Sequence, residues 1–193
     1  MTVAQLMAAL ASNEPTPGGG TAAAIAGAMG TSLLLMVTGL AKTNNNLDAE
    51  KAALASARTT LEPIASRLLE LADADSQSFN DVMAAYRLPK ATDDDKAART
   101  RAIQAALRGA TEVPLETVRV CVAALAPGRV VLDSGNQSAA SDVGVALLLL
   151  KAAADGAAAN VRTNLTGLKD EAFKSATEAA TSRLTAAADQ YLR

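Results

Sequence analysis

Apolar positions recur with a helical period along almost the whole chain, and nowhere do they alternate with polar ones long enough for a strand. Met1 to Ser12 reads as a short amphipathic helix, ended by the turn Pro15-Thr16-Pro17 and the run Gly18-Gly19-Gly20. Thr21 to Ala41 follows without a single charge, closed by Asn44, Asn45 and Asn46. From Asp48 the residues Ala52, Leu54, Leu61, Ile64, Leu68 and Leu71 keep helical spacing, continuing through Phe79, Val82 and Met83 to Tyr86. Pro63 within this stretch predicts a kink or a helix start. Leu88-Pro89-Lys90 breaks the pattern. Thr92 then precedes Asp93, Asp94 and Asp95, an N-cap with acidic residues on the positive end of the helix it opens. That helix can run to Ala126 with a bend at Pro114, and Pro127-Gly128 predicts a turn. Val130 to Asp133 is too short to assign. A second low-charge helix is predicted from Ser138 to Ala159, and a last amphipathic one from Leu168 to Leu192.

The pattern predicts an all-α, single-domain helical bundle over residues 1–193, with two low-charge buried helices, Thr21 to Ala41 and Ser138 to Ala159, wrapped by amphipathic ones. A monomer of this size has too little surface to cover both, so a homodimer is expected. Thr21 to Ala41 is long enough to span a bilayer. Its glycines and hydroxyls (Gly27, Gly30, Thr31, Ser32, Thr38) make it only mildly apolar, and no aromatic belt flanks it. A helix buried on all sides in a soluble protein, with no membrane partner, is the expectation.

Composition narrows the chemistry. Aromatic residues are 2% of the chain while half of it is apolar, so the core is built from Ala, Leu, Val and Ile, which favours close helix packing. Twenty acidic residues face eighteen basic ones, and no basic stretch is interleaved with aromatics, which argues against nucleic acid as a partner. The absence of histidine removes the usual neutral-pH base, any Ser-His triad and the commonest zinc ligand, leaving carboxylates, amines, hydroxyls and backbone groups. Cys121, the single cysteine, sits between Val120 and Val122 and reads as a buried thiol, consistent with a reduced, cytoplasmic setting. Met1 to Ala11 has no basic n-region, so no export signal is expected.

Four polar clusters interrupt the apolar pattern. Pro15 to Thr21 offers free backbone N–H groups at the start of an apolar helix, suited to a polar ring or an anion; a tight turn that permits close packing explains it equally. No Gly-Lys-Ser/Thr ending and no preceding strand support a nucleotide loop. Asp73 and Asp75 come next, with Asp75, Phe79 and Met83 on one helical face: either an acid/base carboxylate at a cleft or a solvated edge. Asn136 to Ser138 with Ser141 and Asp142 forms a polar cap, for which Ser138 and Asp142 have N-cap character. Asn160 and Asn164 lie four apart at the end of the second low-charge helix, either as buried amides seeking partners or as a helix end, and Arg162 between them suits a carboxylate.

In order, Pro15-Thr16-Pro17-Gly18-Gly19-Gly20, Met36-Val37, Asp75 with Ser78-Phe79, Arg87-Leu88-Pro89-Lys90 and Glu112-Val113-Pro114-Leu115 resemble the cyclodeaminase/cyclohydrolase family. So do Gly135-Asn136, Ser141 to Ala146 and Asn160 to Leu165. The stretch from Pro89 to Gln104 is most similar to its stand-alone cyclohydrolases. The resemblance implies an all-helical homodimer acting on a folate, hydrolysing 5,10-methenyltetrahydrofolate to 10-formyltetrahydrofolate without metal or other cofactor. Asp75 is then the expected acid/base, with Asp142 second. Pro17, Gly18, Gly19, Gly20, Asn136, Ser141, Asn160 and Asn164 are expected to hold substrate or water. One segment departs from the family pattern: Leu40-Ala41-Lys42-Thr43 leads into Asn44-Asn45-Asn46 where many relatives carry a basic cluster. A cyclodeaminase expelling ammonia, or a non-catalytic helical oligomer binding a folate-like ligand, are the alternatives.

Overall fold

The structure, a computed structural model, describes residues 1–40 and 48–191. Among them are six α-helices, one 3-10 turn and no strand: α1 (Val3–Leu10), α2 (Gly19–Gly39), α3 (Asp48–Arg87), α4 (Asp93–Ser134), a 3-10 turn (Gln137–Ala139), α5 (Ala140–Leu165) and α6 (Glu171–Asp189). The all-α reading holds. The segment Asn44 to Asn46 lies outside the described residues, as does Leu192.

The bundle is built from α2, α3, α4 and α5, with α6 packed across α4 and α5. Helix α2 runs antiparallel to both α3 and α5. Its Thr21 meets Asp75 and its Arg58-bound carbonyl is Leu35, while Gly19 faces Asn160 and Gly30 faces Ala146. Small residues permit this closeness. A side-chain carbon on Gly27 would fall 2.7 Å from the Cys121 Sγ, and one on Gly30 2.7 Å from the Ala146 carbonyl oxygen. The gain is burial of Leu34, Val37, Leu61, Leu68, Leu125 and Leu150, each almost fully removed from water and worth about 1.5–3 kcal/mol. A larger residue at Gly30 would push α2 off α5 and forfeit part of that gain. Cys121 is wholly buried as expected, and burial pushes its thiol up to about 12.

Two expectations need correction. Pro127-Gly128 is not a turn: α4 continues to Ser134. The proline costs one helical hydrogen bond, but the carbonyl it orphans belongs to exposed Ala123, which water reaches. Gly128 is there for packing, since a side-chain carbon would fall 2.8 Å from Leu147 and 3.1 Å from Leu34. Pro63 and Pro114 likewise sit inside continuous helices. The second correction concerns the two low-charge helices, which are not buried on all sides. Met29 (55% exposed) and Met36 on α2, with Val145 and Leu148 (62%) on α5 and Leu69 on α3, are open to solvent. A four-helix layer leaves each helix one outer side, and among the described residues no amphipathic helix covers this one. Among the described residues α2 alone is long and apolar enough to pass as a membrane span, though more than half of that stretch is buried inside the bundle.

Thr92 caps α4 as the sequence suggests. Its hydroxyl accepts from the Asp95 N–H at 3.1 Å, and the Asp95 carboxylate accepts from the Thr92 N–H at 3.0 Å. Gln104, in the cyclohydrolase-like stretch, ties α4 to the α5–α6 turn by donating to the Gly167 carbonyl at 3.0 Å and accepting from the Lys169 N–H at 2.8 Å.

Candidate active site

The glycine run, α3 and the end of α5 converge on a cavity of about 230 Å³. Its lining includes Gly18, Gly19, Gly20, Asp75, Ser78, Phe79, Asn160 and Asn164, closed by Val82, Leu107 and Ala110. Of the residues expected to hold substrate, Pro17 alone in this region does not line it; the Thr16–Pro17 peptide is cis. Met83 does not line it either. The face α3 presents is Asp75, Ser78, Phe79 and Val82, because the cavity lies toward α5 rather than along the exposed side carrying Met83. Asp73 points to solvent.

Asp75 is held from α2. The Thr21 hydroxyl, nearly fully buried, donates to Asp75 Oδ2 at 2.9 Å and lies 3.1 Å from Ser76 Oγ. One hydroxyl carries one proton, so Thr21 donates to Asp75 and accepts from Ser76. Gly20 supplies the space: a side-chain carbon there would fall 2.6 Å from Asp75 Cγ. The carboxylate therefore rests on the first turn of α2, where unpaired backbone N–H groups and the helix dipole favour negative charge. Ser78 donates to the Asp75 carbonyl at 2.8 Å, one turn along α3. Thr21 ends the Pro15–Thr21 segment singled out in the sequence, but a role for its hydroxyl was not legible there, and Ser76 was not singled out at all. The only available signal was a hydroxyl three residues into a helix that starts with bare glycines.

On α5, Asn160 Nδ2 donates to the Gly156 carbonyl at 2.9 Å and Asn164 Nδ2 to the Ala110 carbonyl of α4 at 2.7 Å. Each amide has one N–H committed to a carbonyl, and both residues line the cavity. Arg162 does meet a carboxylate, Glu178 of α6 at 3.1 Å, on the outer face. Among the described lining residues the cavity holds one carboxylate, one aromatic ring and no cationic side chain.

Asn136, Ser141 and Asp142 are not part of this cavity. They sit at the other end of α2, where Gly135 packs on Val37, and the 21 residues of α2 separate the two ends by about 30 Å. Asn136, rather than Ser138, is the cap there: its side chain accepts from the Ser138 N–H at 3.0 Å. A roomier groove of about 670 Å³ runs between α3, α4 and α6. Its charges are already paired, Arg67 with Glu70 at 2.9 Å and Arg119 with Glu116 at 3.3 Å, and it lacks the convergent polar atoms of the smaller cavity.

An all-α bundle with a carboxylate-centred, cation-free cavity at a glycine-opened helix defines a class of small-molecule site rather than a macromolecular surface. Residues 2–183 match the family model described as formiminotransferase-cyclodeaminase, and the chain belongs to that family. It is 42% identical over 172 residues to a methenyltetrahydrofolate cyclohydrolase of Methylorubrum extorquens, covering 89% of this chain and 83% of that protein. It is 33% identical over 183 residues to the formimidoyltransferase-cyclodeaminase of Gallus gallus, covering 94% of this chain but only 34% of that longer protein. The fold matches a crystal structure titled formiminotetrahydrofolate cyclodeaminase from Thermotoga maritima with a TM-score of 0.87, over all of this chain and 92% of the other, at 24% identity.

Proposed function

We propose that the protein hydrolyses 5,10-methenyltetrahydrofolate to 10-formyltetrahydrofolate, with Asp75 as the acid/base. The observation that carries this reading is the charge of the cavity: one carboxylate beside an aromatic face and no cation among its described lining. Methenyltetrahydrofolate is a planar amidinium, so such a site attracts it twice, by charge and by the ring of Phe79. A volume of about 230 Å³ is below the range of roughly 300–1,000 Å³ that encloses a whole drug-sized ligand. It suits the ring system and leaves the remainder of the folate outside.

The chemistry requires little more. Water attacks the bridge carbon while Asp75 takes one of its protons, giving a neutral carbinolamine. The carbinolamine hydroxyl then releases its proton to solvent as the carbonyl forms. The carbon–N5 bond breaks with its electron pair going to N5, and Asp75 returns its proton there. The substrate brings its own positive charge to activate the carbon, so no cofactor is invoked, and a cytoplasmic location fits a folate intermediate. Asn160, Asn164 and the Gly18–Gly20 backbone position the ring and the water.

The expected homodimer supplies a role for the distant cluster. The open side of α2 and α5 carries Ile25, Met29, Leu33, Met36, Val145 and Leu148, has no charge, and is centred near the middle of α2. A second copy related by a two-fold axis perpendicular to this face would set its α2 antiparallel. That arrangement brings Asn136, Ser141 and Asp142 of one copy toward the glycine end of its partner. Mixing Asp75→Asn with Asp142→Asn chains would then restore activity, because a mixed dimer contains one intact site; no restoration would oppose a shared site.

The primary test is loss of the near-ultraviolet absorbance of methenyltetrahydrofolate above the buffer rate. A folded protein without acceleration, but with ammonia release from formiminotetrahydrofolate, would transfer the reading to the cyclodeaminase. Binding of either folate without turnover would make it a ligand-binding relative.

A further inference from the structure

Pro114 belongs to a sequence motif, Glu112-Val113-Pro114-Leu115, that the acid/base chemistry does not use. It is buried within α4, far inside a continuous 42-residue helix. In a helix the N–H of residue 114 would bond to the carbonyl of Ala110, and proline has no N–H to give. Ala110 is almost fully buried, so its vacated carbonyl is far less open to bulk solvent than that of exposed Ala123 at Pro127. Asn164 takes the vacated place, donating Nδ2 to the Ala110 oxygen across the α4–α5 contact at 2.7 Å. An amide nitrogen that donates to a carbonyl fixes which end of the group is oxygen, and one further N–H remains on the nitrogen. Asn164 Oδ1 is left as an acceptor among the described atoms, on the same helix face and one turn from Asn160, whose nitrogen is committed to Gly156 at 2.9 Å.

We propose that Pro114 is a positioning residue for ligand recognition: by vacating the Ala110 carbonyl it locks the Asn164 amide with its oxygen facing the cavity, where it reads an N–H donor on the ligand ring. The chemical class this selects is a fused pyrimidine whose edge presents an amino group beside a ring N–H. The identity of that ring rests on the proposed folate reading; the locking of the amide does not. Asn164 is then a specificity-determining residue, and Pro114 acts only through it. Replacing the proline by alanine restores a competing donor along the helix axis and frees the amide to turn, while alanine is the better helix former.

The locking is tested without ligand by solvent exchange of the Asn164 side-chain amide protons, read by NMR. They exchange at least tenfold more slowly in the native protein than in Pro114→Ala; equal exchange overturns the proposal. Recognition is tested by the ratio of kcat/KM for methenyltetrahydrofolate and its analogue with methyl in place of the 2-amino group. A site built around a donor rejects the analogue by about a hundredfold or more. That ratio falls toward unity in Asn164→Ala and falls at least severalfold in Pro114→Ala. The double variant matches Asn164→Ala alone, because the proline has no other route to the ligand. Additive effects, or an unchanged ratio in Asn164→Ala, overturn the proposal. If methenyltetrahydrofolate is not turned over, the folate reading fails separately. The same ratio is then read as Kd by calorimetry with the two bare tetrahydropteridines, and failure of the native protein to distinguish them overturns the inference on its own terms.

Discussion

The two ends of α2 look alike in the sequence and differ in the folded chain. Each pairs a glycine-containing turn with an acidic residue and a neighbouring hydroxyl: Gly18 to Thr21 with Asp75 at one end, Gly135 to Ser141 with Asp142 at the other. At the first end three helices converge: Asp75 and Asn164 are fixed by hydrogen bonds of 2.9 and 2.7 Å to other helices, and Asn160 by one of 2.9 Å to the preceding turn of its own helix. At the second, Ser141 is exposed and Asn136 caps a 3-10 turn. A glycine turn becomes a site when a carboxylate and a cavity meet on it: Gly135 is packed on Val37 at the second end, but among the described residues only Asp75 at the first end lines a cavity with its glycine turn. The second becomes functional through a partner copy or serves as a helix cap.

The sharpest way to test the contrast is to fill the space that makes the first end possible. Gly20→Val drives a side chain into the Asp75 carboxylate, and turnover is expected to fall about a hundredfold, the scale of a displaced general base. Gly144→Ala, where an added carbon meets nothing within 4 Å, should leave single-chain folding unchanged, as circular dichroism would report. A smaller loss is expected from Thr21→Val, which keeps the shape but removes the 2.9 Å hydrogen bond to Asp75. One hydrogen bond to a charged group is worth about 1.5–3 kcal/mol, so steady-state kcat should drop at least tenfold. Asp142→Asn should cost less in kcat than Asp75→Asn, and its loss should deepen on dilution if the partner supplies the residue. The smallest effect belongs to Lys151→Met, far from either end. Lys151 bridges α5 to Asp189 of α6 at 3.0 Å and also bonds Asp155. Burial pulls its pKa down, but the hydrogen bonds and charges of Asp155 and Asp189 outweigh this and hold it above the ordinary 10.5. A raised pKa stabilises the fold fully below that value and ceases to as the pH climbs beyond it. Thermal melting at pH 7 should therefore fall by about 2–4 °C for a contribution near 1 kcal/mol, with the difference vanishing well above pH 10.5.

Much of this was legible in the chain. Helical periodicity and the cap at Thr92 gave the elements, and the segments Gly18–Gly20, Asp75, Asn160 and Asn164 gave one coherent cavity. The failures share a cause. Pro127-Gly128 has turn chemistry, yet Leu147 and Leu34 packing onto Gly128 decide the outcome, and such long-range contacts leave no local mark. The low charge of α2 and α5 suggested burial within the chain, whereas their outer sides carry exposed Met29, Met36, Val145 and Leu148. Low charge marks a surface that avoids water without saying which chain covers it. The role of Thr21 was hidden because a threonine in an apolar helix is ordinary until an aspartate from α3 arrives beside it. Pro114 was visible, but its consequence for Asn164 needed the third dimension.

The central claim is that a carboxylate held on the α2 N-terminus hydrolyses a cationic folate bridge. The most direct test follows the near-ultraviolet absorbance of methenyltetrahydrofolate with the native protein and with Asp75→Asn, each checked for folding by thermal melting. The account predicts a clear acceleration over buffer by the native chain and a loss of about a hundredfold or more in the variant. A folded Asp75→Asn protein with near-native turnover would contradict it.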